Sequence, residues 1–305
     1  MNITNKTKAY IAVLLQSTII GFSFMFNKLT IGISSPIQTL AFRFLISFIA
    51  LILLLKLKII KVNLNKNLFK DILPISIFYP LMFFSLQIYG LQYVSSSEAG
   101  IINASIPIIT SILAVIILKE KINIKQRTSI LISVLGVILI VVLGSNSGAT
   151  KNIKGIALIL MSALSTSINF ILIRKYSKKY HFLDMTFVSI TSGFVVFNSI
   201  NLITHILNNN LNIILQPFKS NTFIVAILFL SLLSTLLTAS LSNFSLSHLE
   251  ASKTSIFNHL ATLISIFAGA VILKEPLYYY HIIGGVFIIS GVIGTNYYSK
   301  NKTRH

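Results

Sequence analysis

The chain has 305 residues, of which 54% are hydrophobic and only 10% charged, where an ordinary soluble domain carries roughly 25% charged residues. It holds 25 Lys and Arg against 6 acidic residues, a formal charge of +19, but the cations sit in short gaps between apolar runs. That pattern excludes a groove tracking nucleic-acid phosphates and suits loops facing anionic lipid, while the lack of Cys excludes disulfides, thiolate nucleophiles and Cys-based metal sites.

A spanning helix needs about 20 mostly apolar residues, and the sequence predicts ten of them. The first window, 9–28, has no small-x-small cleavage pattern and reads as a retained helix, not a signal peptide. It ends in Asn27 and Lys28; the lysine could snorkel to headgroups or serve an outer gate. The second, 36–55, carries Arg43 about seven residues from its outer end, too deep for easy snorkelling. Arg43 could fork onto a substrate carboxylate or bind carbonyls and hold the bundle together. In the third, 72–91, Tyr79 stands beside Pro80 and offers a hydroxyl and a ring to a solute, or packs in the core. The fourth, 98–118, holds Asn103 and then Pro107, which removes a ladder hydrogen bond and predicts a static kink or a hinge.

Windows 127–144, 153–174 and 183–206 follow. The segment 207–222, with its Asn run and Gln216-Pro217, is long enough for an interfacial stretch. After window 223–246, the ninth, 250–273, places Asn258 and His259 near its middle. The histidine could take a proton or bond a solute, or simply make an interhelical bond. The tenth, 279–298, has Gly284, Gly285, Gly291 and Gly294, which permit close helix contact within one chain or between two copies. All six carboxylates, Asp71, Glu98, Glu120, Asp184, Glu250 and Glu275, fall at or near span ends. Capping turns and local ion pairs account for Glu120 and Glu275.

With the N-terminus inside, only Lys28, Lys151, Lys154, Lys219 and Lys274 fall outside, Arg43 is within a helix, and every other cation is inside. That asymmetry predicts an even number of spans with both termini cytoplasmic. Sliding the chain against itself at an offset of 155 lays Ile117-Leu118-Lys119-Glu120 on Ile272-Leu273-Lys274-Glu275, Asn103 on Asn258 and Gly136 on Gly291. Asn103 and Asn258, as mates, would line a cavity from opposite sides, or act as polar glue between helices. Helix one lies on helix six at an offset of 146, which pairs Lys28 with Arg174. An odd number of spans separates the copies, so the expected fold is an all-α integral membrane protein of ten helices in two inverted five-helix repeats, 8–144 and 153–298.

Arg43-Phe44 in helix two, Pro107 thirteen residues before Glu120, and Gly136 and Gly291 in helices five and ten, in this order, resemble the EamA-like family of the drug/metabolite transporter superfamily. The resemblance covers residues 8 to 298, with Thr262 where the second repeat usually has proline and Ile20-Gly21 in place of Trp-Gly. It implies a permease for amino acids and other small metabolites in a bacterial cytoplasmic membrane, contacting lipid and a small-molecule substrate, with no cofactor and no metal. The sequence lacks GxxxxGK[ST], so ATP is not the direct energy source. Buried cationic, amphoteric and amide groups favour a carboxylate-bearing solute, with export favoured. A flippase for a lipid or lipid-linked sugar shares the fold, whereas an enzyme would need a nucleophile, paired carboxylates or a metal cluster at common depth.

Overall fold

The computed structural model describes residues 4–118, 124–145 and 150–300, and the Lys119-Glu120 turn lies outside them. Every regular element in the described residues is helical; an isolated bridge joins Ile31 and Ser34.

The segments run in order α1 (Asn5–Thr30), α2 (Pro36–Lys56), α3 (Lys66–Gly90), α4 (Ser96–Ile117), α5 (Ile124–Ser145), α6 (Thr150–Tyr176), α7 (Phe182–Leu207), α8 (Asn221–His248), α9 (Asn258–Ile272) and α10 (Tyr279–Lys300). A short helix, Ala251–Ile256, precedes α9. Starts follow local chemistry. Ser35 caps α2, with Pro36 in the first turn where its missing N–H costs nothing. Asn65 caps α3, which therefore begins well before the apolar window at 72, and Ser220 caps α8. The 207–222 segment folds into two 3-10 turns, Leu211–Ile213 and Gln216–Lys219.

Among the described residues seven helices are long and apolar enough to cross a bilayer: α1, α2, α3, α4, Ile153–Tyr176 of α6, α7 and α8. Asn258–Ile272 and Tyr279–Gly291 are shorter apolar helices. Their outer faces are as apolar as their cores. In α2, Leu51 is buried while Ile49 and Leu53 are about half exposed, an arrangement that water would penalise and hydrocarbon would not.

The helices pair across the molecule: α2 lies against α7, α4 against α9, α5 against α10, α1 against α8 and α9, and α6 against α3 and α4. Small residues set the closest approaches, as small-residue helix contacts in membranes do. A Cβ on Gly136 of α5 would stand 2.6 Å from the Gly284 carbonyl of α10.

Segments α3, α4 and α8 are interrupted, and α9 ends in a π-wound stretch, Ala268–Ile272. Tyr79 takes extended dihedrals (φ −143, ψ 116) just before Pro80, as the residue preceding a proline prefers. In α4, Ala104 and Ser105 form a turn ahead of Pro107. In α8, Phe229–Leu237 is wound as π-helix. Broken helices inside a bundle are tolerated where the freed backbone groups find partners or line a cavity.

Candidate solute-binding cavity

The interruptions of α3, α4 and α8 surround one narrow cavity of about 40 Å³, room for a few water molecules. From α1 it receives Gln16, Ile20 and Ser23; from α3, Tyr79, Phe83, Phe84 and Gln87; from α4, Asn103 and Ile106. Across from these stand Thr166, Asn169 and Phe170 of α6, Ser234, Thr238, Ala239, Ser242 and Asn243 of α8, and Asn258 at the start of α9. Aromatic rings and aliphatic groups form the body, and amides and hydroxyls provide the polar points. None of the lining side chains carries a formal charge.

The lining repeats the internal offsets of the sequence. Tyr79 and Ser234, Phe83 and Thr238, Phe84 and Ala239, Gln87 and Ser242, and Asn103 and Asn258 all differ by 155, and Ile20 with Thr166 and Ser23 with Asn169 by 146.

Several polar atoms in this wall have no partner. Gln16 Oε1, Asn103 Oδ1, Thr166 Oγ1 and Asn258 Nδ2 are buried without a hydrogen bond. A buried polar group with no partner is costly, so these four form an unsatisfied set of two acceptors, one donor and one hydroxyl.

Arg43 does not line the cavity. Its guanidinium lies directly behind the wall, 1% exposed. Nε donates to Thr235 Oγ1, Nη1 to Asn27 Oδ1 at 3.3 Å, and Nη2 to the Ser234 carbonyl at 3.1 Å and to Ser234 Oγ at 2.8 Å. Its Cζ sits 4.1 Å from the centroid of the Phe84 ring, a cation–π contact. The Ser231 carbonyl accepts from Ser47 Oγ at 2.8 Å. Arg43 and Ser47 of α2 thus satisfy backbone groups of the π-wound stretch of α8.

Of the residues singled out from sequence, Tyr79, Asn103 and Asn258 meet at the cavity. Asn27 is buried against Arg43 with its Nδ2 unpartnered. Lys28 donates to the carbonyls of Leu91 and Val94, both at 2.8 Å, and so ties α1 to the end of α3. His259 lies outside the lining, with both ring nitrogens unpartnered. Gln16, Gln87, Thr166, Asn169 and Asn243 were not singled out. Their signal was an amide or hydroxyl in the interior of an apolar run, whereas Asn103 was marked by its match to Asn258 at the 155 offset.

The carboxylates also differ from the local picture. Glu275 reaches across the bundle to the start of α4, where it accepts from Ser96 N and Oγ, both at 3.0 Å, and from Ser97 N at 3.2 Å and Oγ at 3.4 Å. Glu98, though near a span end, is only 4% exposed.

The sequence profile of the EamA-like transporter family matches the chain twice, over residues 7–142 and 153–297. The chain belongs to the EamA-like transporter family. This family member is 41% identical over 299 residues to the uncharacterized transporter YcxC of Bacillus subtilis (strain 168), covering 98% of this chain and 96% of that one. It is 28% identical over 293 residues to an uncharacterized transporter of Archaeoglobus fulgidus, covering 93% and 97%. A chain of known crystal structure shares the fold at a TM-score of 0.63 and 14% identity, over 97% of this chain and 98% of the other. Family and apolar helices together make this a multi-pass membrane transporter.

Proposed function

We propose that this EamA-like protein is a secondary transporter that carries amino acids or related carboxylate-bearing solutes across a bacterial cytoplasmic membrane, export favoured, by alternating access between two inverted five-helix repeats. The observation that carries the reading is the cavity wall: residues 155 or 146 apart face one enclosed space at the breaks of three helices. Transporters built on repeats place their site at such a repeat interface, on discontinuous helices. Glu275 sits at the start of α4, and the run leading to Lys119 forms its other end, which favours turns on opposite faces and an inverted relation. Ten spans with both termini cytoplasmic then accommodate the cation asymmetry of the loops.

The unsatisfied atoms suggest how a zwitterion would sit. Gln16 Oε1 and Asn103 Oδ1 accept from an ammonium, while Asn258 Nδ2 and the Thr166 hydroxyl donate to a carboxylate. Arg43, whose hydrogen-bond partners are all neutral, adds a positive field behind Phe84 and Ser234 without touching the solute. In a low-dielectric wall that charge acts over a longer distance than in water. The aromatic rings would pack against the remainder of the solute. The reading assigns no chemical step to the chain.

The test is ligand stabilisation followed by transport. In purified protein, an amino acid or carboxylate at about 100 times its dissociation constant should add about 2.7 kcal/mol to stability and exchange across proteoliposomes. Stabilisation by lipid-linked sugars alone would replace this reading with a flippase.

A further inference from the structure

Building on the transporter reading, we propose that Glu98 and His281 form a proton-binding site whose occupancy closes the Lys28 end of the bundle, which makes the proton the coupling ion of the transport cycle. The two side chains come from α4 and α10 and are 4% and 3% exposed. Glu98 Oε1 and His281 Nε2 face each other at 3.9 Å, and neither atom has a hydrogen-bond partner. The other ring nitrogen, Nδ1, is approached by the backbone N–H of Tyr278 at 3.4 Å, which directs the tautomer so that Nε2 carries the ring proton toward Glu98. The rings of Tyr278 and Tyr280 pack on the imidazole at 5.7 and 4.4 Å between centroids.

The surrounding charges set the proton count. Lys28 of α1 lies within electrostatic range of both Glu98 and Glu275, and Glu275 is committed to the N–H and hydroxyl groups of Ser96 and Ser97. Lys28 and Glu275 cancel. An ionised Glu98 beside a neutral His281 then leaves one net negative charge in a buried cluster, and one added proton removes it. Other elements packed here add little. Lys154 of α6 sits over the Tyr93 ring at 5.0 Å, α9 has no titratable residue between His259 and Lys274, and α5 has none between Arg127 and Ser145. Glu250 and Lys253 of the Ala251–Ile256 region belong to the opposite end of the bundle.

A buried cluster with an uncompensated charge is strained toward hydration or neutralisation. With the proton bound, the Glu98–His281 pair that joins α4 to α10 carries no uncompensated charge, and the end stays closed. Without it, opening to water relieves the charge. By linkage, the closed arrangement binds the proton more tightly than the open one, so low pH favours closure.

The absence of Cys permits a test that uses no solute. Ser242→Cys places one thiol in the cavity wall, and its reaction with a membrane-impermeant reagent added at the Lys28 end is measured from about pH 5 to about pH 8, around the ordinary histidine range. Rates are normalised to denatured protein at each pH. The expected rate rises several-fold toward high pH, stays at its acid level throughout in E98Q, and shifts its midpoint in H281Q. A rate that is flat in the parent, or that keeps its pH dependence in E98Q, overturns the proposal. Should E98Q fail to fold, infrared pH-difference spectra decide: a protonated-carboxyl band with the same midpoint in the parent and in H281Q refutes it. Because no solute is present, a negative transport assay leaves this result standing, and the reverse also holds.

Discussion

Lys28 and Arg174, 146 residues apart, end their helices in the same way at opposite ends of the bundle. Each turns onto carbonyls at or just beyond the end of a neighbouring helix. Lys28 reaches Leu91 and Val94, and Arg174 reaches Leu246 at 2.8 Å and Ser247 at 3.1 Å, Leu246 being Leu91 advanced by 155. A cation on a helix C-terminus meets both the free carbonyls and the negative end of the dipole. Lys28→Met should therefore lower stability by about 1 kcal/mol, and Arg174→Met should lower it comparably, as read by thermal unfolding in detergent.

Arg43 makes a stronger demand. Removing it in Arg43→Met leaves Thr235, Ser234 and Asn27 short of partners in a dry interior, at about 1 to 3 kcal/mol for each group left unsatisfied. We expect a loss of roughly 3 kcal/mol or more. Arg43→Lys should recover only part of it, because an ammonium cannot reproduce the planar fork. Equal stability of the lysine variant and the parent would argue against the hydrogen-bonded role.

Asn103 should behave in the opposite sense. Its Oδ1 is buried without a partner, so Asn103→Leu removes an unpaired polar group and should raise stability by about 1 kcal/mol. Solute exchange should fall at least tenfold. Gain of stability with loss of function is the signature of a group kept for a ligand, and a stabilised variant that transports normally would exclude Asn103 from the site.

Gly100 lies where α4 meets α9: a Cβ there would overlap Ser265 Oγ. The Thr262 hydroxyl also donates to the Gly100 carbonyl at 2.9 Å. Gly100→Ala should cost about 1 to 3 kcal/mol through forced separation of the helices, and Ser265→Gly in the same chain should restore much of it. No rescue in the double variant would locate the strain elsewhere.

At the end of the bundle opposite Lys28, Lys179 Nζ meets Asp71 Oδ2 at 2.6 Å, and Tyr180 shares that oxygen at 2.7 Å. The Asp71 hydrogen bond, and after it Tyr180, hold the Lys179 ammonium above the usual lysine range. A raised pKa contributes stability that is fully present below the unfolded value of about 10.4 and lost as pH climbs through the folded one. Asp71→Asn should therefore differ from the parent by a small, constant amount across neutral pH, with the gap closing in strongly alkaline solution and, because the Lys179 and Tyr180 hydrogen bonds hold the Asp71 carboxyl below its usual range, also in acid. A gap that varies around neutrality would show that another group is titrating.

Much of this architecture was legible in the chain. Apolar length marked the helices, and Pro80 and Pro107 marked the breaks of α3 and α4 beside the cavity. The break in α8 was hidden, because Phe229–Leu237 holds neither Pro nor Gly, and its π-wound backbone and side chains meet partners from α2 that lie 191 and 184 positions away. The helix-nine position of Thr262 showed the same limit. It stands at the proline position of the first repeat, yet the helix still breaks at Phe257. Glu98 was misread in consequence rather than in place: it does fall at a helix start, but neighbouring segments bury it, and burial is a tertiary property that no local pattern carries.

The carboxylate that completes the start of α4 is supplied by Glu275, from the second of the two family repeats. A polypeptide ending near residue 145 would leave the Ser96 and Ser97 amide groups bare in a low-dielectric setting, so the first repeat draws on the second to complete its fold. Severed at the junction, the halves should have to be made together in one membrane to mature, each acting as the template on which the other closes.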